Sequence, residues 1–144
     1  MVNALAIRGL ALRYPGRETP ALDDLSFELP EHRLAFVLGP NGSGKSTLFR
    51  ILLRLLRADS GEVEVFGSRL ESYGPAGLAE AISYIPQSTE MSFNFSVLHT
   101  VVLGRVARRG LRASPRNTDW SAAEAALEAV GLGEHANRGI QELS

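Results

Sequence analysis

Cysteine is absent from the 144 residues, which excludes disulfides, thiolate nucleophiles and cysteine-ligated metals. Long apolar runs are also absent: none approaches the ~18 residues of a membrane span. The N-terminus lacks the basic-then-apolar pattern of a secretory signal. Neither sign of charge dominates, since 15 basic and 16 acidic residues leave a formal net charge of −1. That balance gives no electrostatic footprint for nucleic acid or bare anionic lipid. The chain therefore reads as cytosolic, with no nucleic-acid partner and no direct membrane insertion, so any membrane association would run through another chain. His32, His99 and His135 are scattered without the spacing of metal ligands. Lysine is scarcest among the charged types. Fourteen of the basic residues are arginines, and the only lysine is Lys45.

What is present suits one soluble domain. Hydrophobic residues make up 44% and charged residues 22%, and a domain of this length can bury about 68–70% of the surface its unfolded chain exposes. Residues 5–14 alternate apolar and polar except for a slip at Arg8-Gly9, which predicts a strand with a bulge. Pro15-Gly16 marks a turn, and residues 25–29 alternate again up to Pro30. Two such strands predict an antiparallel pair with one wet face. Residues 34–38 (Leu-Ala-Phe-Val-Leu) are apolar throughout, the pattern of a strand buried on both faces of a parallel sheet. A helix is expected from Ser46-Thr47 to about Leu56, with Arg50, Arg54 and Arg57 on one exposed stripe. Residues 61–67 read as a short strand between glycines, and residues 76–81 as a brief helix. Residues 82–85 read as a strand stopped by Pro86-Gln87. Helices are expected from Val97 to about Arg109 and from Ser121 to Val130, the second ended by Gly131.

The lone lysine sits inside Gly39-Pro40-Asn41-Gly42-Ser43-Gly44-Lys45-Ser46, which satisfies G-x-x-x-x-G-K-[ST] at every fixed position. Glycines let the backbone curl into a concave nest whose N–H groups point at phosphate oxygens. The helix that follows adds its free N-terminal donors and the positive end of its dipole. Lys45 can reach β- and γ-phosphates, the Ser46 hydroxyl can ligate Mg²⁺, and Thr47 is placed for the α-phosphate region. This loop predicts a nucleotide with Mg²⁺ as cofactors, the nucleotide being ATP by the family resemblance that follows. An apolar strand before it and a leucine-rich helix after it are the context the motif requires.

With these residues in place, the whole chain resembles the ATP-binding subunit of an ABC transporter. Arg13-Tyr14 resembles the A-loop, Gly39 to Thr47 the Walker A loop, and Asp59-Ser60-Gly61-Glu62-Val63 the entry to the antiparallel sheet. Tyr84-Ile85-Pro86-Gln87 resembles the Q-loop, and Glu142-Leu143-Ser144 the start of the signature motif. The resemblance implies an α/β fold: a P-loop NTPase core of ABC type with an N-terminal antiparallel β subdomain and a helical subdomain. It divides the single domain into residues 1–86 (β subdomain and P-loop core) and 87–144 (Q-loop and helical subdomain). By the same resemblance Tyr14 stacks on adenine, and Gln87 approaches Mg²⁺ and the attacking water. From the residues alone, Tyr14 fits packing at a strand end and Gln87 an ordinary polar loop equally well.

The implied partners are integral-membrane permease subunits and a second ATP-binding subunit arranged head to tail. The implied location is the cytoplasmic face of the membrane, reached through the permease. The family's later elements, namely the signature glycines, the Walker B aspartate with its catalytic glutamate, the D-loop and the H-loop histidine, are not found. The expectation is an N-terminal portion that binds nucleotide but turns over little. Phe93-Asn94-Phe95-Ser96-Val97-Leu98 and Val101-Val102-Leu103-Gly104-Arg105 are similar to importer ATPases for iron-siderophores, haem, cobalamin and related metal chelates. Phe93 and Phe95 fit either the edge of a core or a permease dock. Arg105, Arg108, Arg109 and Arg112 fit either a solvated face or a flank of that dock. Two other readings remain: an ABC-type ATPase outside transport, and a soluble P-loop kinase for a small molecule.

Overall fold

A computed structural model describes residues 3–87, 93–107 and 113–143. The chain divides into two units, residues 1–82 and 83–144, each with its own apolar cluster.

The first unit is built on a four-stranded antiparallel sheet in the order β2-β1-β3-β4. Its strands are β1 (Asn3–Leu12), β2 (Leu22–Pro30), β3 (Ser60–Val65) and β4 (Ser68–Arg69). The slip at Arg8-Gly9 is a bulge, because the β1–β2 register shifts between Ile7 and Leu10, with Gly9 at φ +59°. The extra residue turns Ile7 and Leu10, three apart, into the same buried core; a regular strand would send them to opposite faces. Beside the bulge, a Cβ at Gly61 would stand 2.5 Å from the Gly9 carbonyl oxygen. Only glycine permits that crossing of strands. Helix α1 (Lys45–Leu52) lays Leu48, Ile51 and Leu52 on the sheet beside Ile7, Leu10, Leu12, Val63 and Val65.

Three expectations for this unit are corrected. Helix α1 stops at Leu52 rather than Leu56, since Arg54 adopts a left-handed backbone (φ +56°) and Leu55 and Leu56 fold back to the Arg50 carbonyl. The arginine stripe therefore does not form: Arg50 is helical, and Arg54 turns away to donate to the Tyr73 carbonyl. Residues 34–38 form no strand, and Leu34 and Leu38 are 83% and 86% exposed. A parallel strand draws its stability from neighbours on both edges and layers on both faces, and no described strand pairs with this segment. Helix α2 (Pro75–Ala81) follows as expected, with proline in its first turn.

The second unit packs α3 (Val97–Ala107) on α4 (Asn117–Ala129) through Val102, Val106 and Ala123, with Leu98, Val101 and Trp120 at the margin. Ser96 caps α3: its hydroxyl accepts the His99 N–H at 3.2 Å. Helix α4 begins four residues earlier than the alanine pattern suggests, because the Asp119 carboxylate accepts the Arg116 N–H at 2.9 Å. Asp119 is buried and also faces Arg105 at 3.6 Å. A bridge between Ser96 and Gly139, with Ile140 N–H donating to the Phe95 carbonyl at 2.9 Å, ties the start of α3 to the chain after α4. The strand expected at residues 82–85 is not formed, and Ile85 is 92% exposed; again no described strand adjoins it. Among the described residues, no helix is long and apolar enough to cross a membrane.

Candidate nucleotide-binding site

Residues 39–44 lie at the N-terminal end of α1 in the first unit. Gly44 caps the helix in a left-handed conformation, φ +88° and ψ −2°, with the Leu48 N–H donating to its carbonyl at 2.9 Å. A Cβ there would stand 2.3 Å from the Ala21 carbonyl oxygen, so both the dihedral and the close approach demand glycine. Gly42 likewise has φ +85°, and the Ser43 N–H closes a turn onto the Pro40 carbonyl at 3.3 Å. Two left-handed glycines within three residues curl the loop, as an anion nest requires.

Lys45 arches back over that loop. Its ammonium donates to the carbonyls of Gly39 (2.7 Å) and Pro40 (2.8 Å) and to Ser43 Oγ (3.3 Å). Positive charge is thus held against the loop's own backbone, beside a helix end whose first turn carries no acidic residue to compete with an anion. Ser46, second in the helix, is exposed, whereas Thr47, third, is buried. Asn41 lies on the exposed outer part of the loop.

Tyr14 opens the turn after β1, where the Arg17 N–H donates to its carbonyl at 3.1 Å across Pro15-Gly16. Asp59 fixes the approach to this turn by accepting the Arg13 N–H at 2.7 Å, a role nothing in the sequence pattern indicated, since 46 residues separate the two. The Tyr14 hydroxyl lies 3.2 Å from Thr47 Oγ1, so two site residues read independently from the sequence are in contact. Gln87 belongs to the second unit, where it is exposed and follows Pro86 in irregular chain. Ser144, Arg108, Arg109 and Arg112 lie outside the described residues. The Phe93 and Phe95 rings lie 5.9 Å apart, tilted at 44°, and are 69% and 44% exposed.

The cavities divide differently from the motif. An open groove of about 390 Å³ runs beside the loop, lined by Leu22, Phe27, Phe36, Leu38, Gly44 and Lys45. A larger one, about 890 Å³, lies at the far end of α1 among Arg54, Arg57, Arg69 and Glu62. Two of its three arginines are engaged, Arg54 with the Tyr73 carbonyl and Arg69 with Glu62, and the smaller groove is the one that adjoins the glycine loop.

A sequence-family comparison identifies the chain. The family described as "ABC transporter" matches residues 22–144. The chain belongs to the ABC transporter ATP-binding family. Among curated relatives of this family member is the manganese transport system ATP-binding protein MntB of Bacillus subtilis, 38% identical over 127 residues, covering 87% of this chain and 49% of the relative. A transporter described as metal-chelate type, solved in an inward-facing conformation, matches with a TM-score of 0.77 and 30% identity, covering 100% of this chain and 51% of that one. The ADP conformation of an ATP-binding cassette of an ABC transporter matches with a TM-score of 0.82 and 25% identity, covering 100% of this chain and 60% of that one. These neighbours share the P-loop NTPase cassette fold. The chain spans about half the length of the curated relatives it matches.

Proposed function

We propose that these residues form the ATP-binding portion of an ABC importer ATPase that serves a membrane permease, with an iron-siderophore or related metal chelate as cargo. The observation that carries this reading is Lys45 folded over two loop carbonyls at the start of α1. An entering triphosphate offers that ammonium charge-assisted partners in place of neutral carbonyls, and the nest N–H groups take the remaining oxygens. The residues present fit the nucleotide: Gly39, Pro40, Asn41, Gly42, Ser43 and Gly44 would surround the phosphates, and Lys45, Ser46 and Thr47 would address them from the helix. Mg²⁺ would be held by the Ser46 hydroxyl together with phosphate oxygens and would neutralise charge on the phosphoryl group when bound. Tyr14 would stack on adenine, and Gln87 would approach the metal and the attacking water.

The chelate cargo draws support from residues 93–105 and from the metal-chelate type neighbour. The manganese relative marks a bare metal ion as the competing cargo. A permease and a second ATP-binding subunit are the partners this reading requires, with the protein peripheral on the cytoplasmic face of the membrane. Calorimetry with Mg-ATP tests the reading: Lys45→Ala should weaken binding at least tenfold, at roughly 1.5–3 kcal/mol per charge-assisted bond lost. Unchanged affinity would refute the site.

A further inference from the structure

The Tyr14–Thr47 contact joins the two ends of the site, at 3.2 Å and partly buried. Each hydroxyl can donate or accept, so the pair alone leaves its direction open. An anion in the loop would remove that freedom. Thr47 lies in the first turn of α1, where N–H groups lack helical partners and negative charge is favoured. If Thr47 donated to Tyr14, it would offer only lone pairs to the anion. If Tyr14 donates to Thr47, the threonine proton is released toward the anion instead. Both side chains are well held: Thr47 is buried, and the Tyr14 ring packs on the first-unit core while its carbonyl closes the Pro15-Gly16 turn.

We propose that Tyr14 is a positioning residue for the phosphate end of the site, acting through Thr47 as a relay of donors from phenol to threonine to phosphate oxygen. Aligned hydroxyls polarise one another, so the relay strengthens the grip on the phosphates in addition to anything the ring does for a base. This rests on the nucleotide-binding reading above and deepens it. Tyr14→Phe separates the two roles, because it keeps the ring and removes the hydroxyl.

The test is calorimetry on the intact chain in one magnesium buffer, with ATP and with inorganic tripolyphosphate, which has no base. Wild type, Tyr14→Phe, Thr47→Val and the double variant are compared, with Thr47→Ser as the conservative control. The expected result is that Tyr14→Phe weakens both ligands about three- to tenfold. The double variant should bind no more weakly than Thr47→Val alone, and Thr47→Ser should keep the sensitivity to Tyr14→Phe. Loss toward ATP with full affinity for tripolyphosphate would overturn the relay and leave the phenol acting on the nucleoside. Additive losses in the double variant would overturn it as well. If wild type binds ATP but not tripolyphosphate, the same double-variant comparison on ATP decides. Wild type binding neither ligand would instead refute the nucleotide site, and the relay with it.

Discussion

The β1–β2 hairpin and the apolar run at residues 34–38 are close neighbours in the sequence and end in opposite states. The hairpin is paired along its length and sends Ile7, Leu10, Leu12 and Leu22 into the core. The run carries more large apolar groups per residue than the hairpin strands, yet Leu34, Phe36 and Leu38 face solvent. The difference lies in where each finds its partner. An alternating strand followed by a turn brings its own neighbour and needs only one covered face. A uniformly apolar strand needs neighbours on two edges and cover on two faces. Hydrophobicity alone therefore decides nothing; the supply of partners does.

The comparison can be broken most sharply in the core. Leu10→Ala should destabilise the first unit by about 2–5 kcal/mol, read as a fall in the urea midpoint by circular dichroism; a loss below about 1 kcal/mol would show that the hairpin is not its anchor. Next in size is Gly44→Ala, which forces a side chain into a left-handed backbone and against the Ala21 carbonyl. A cost of about 1–3 kcal/mol is expected, with ATP affinity falling at least tenfold. Asp59→Ala removes the acceptor for the Arg13 N–H and should cost about 1 kcal/mol, accompanied by faster amide exchange at Arg13. The smallest effect belongs to the unpaired run: Phe36→Ser should change stability by no more than about 0.5 kcal/mol. Chymotrypsin supplies an independent check, because it should cut at Phe36 well before Phe27, which lies in β2. Equal cutting rates would erase the contrast between the two regions.

Much of this was legible in the sequence for identifiable reasons. The bulge at Arg8-Gly9 showed as a broken alternation, and the loop at 39–44 showed because its glycines and Lys45 keep a fixed spacing within one short stretch. The length of α1 was overestimated because leucines and arginines continue past Leu52 in a helical rhythm, while Arg54 adopts a positive φ that no residue-type rule assigns to arginine. The early start of α4 was hidden because Asp119 caps it through a backbone contact visible only in three dimensions. Asp59 and the Tyr14–Thr47 pair were missed for a plainer reason. Sequence reading finds local patterns, and these contacts join residues 46 and 33 positions apart.

The crossing of Gly44 over the Ala21 carbonyl alters how the motif should be weighed. That glycine would be retained by steric necessity even in a descendant that no longer touched a phosphate, since a methyl group cannot enter 2.3 Å from an oxygen. Gly42, whose missing Cβ would meet nothing within 4 Å, answers only to its left-handed dihedral, φ +85°. Of the two, Gly44 is fixed by neighbour and backbone together, and Gly42 by the curl of the loop alone.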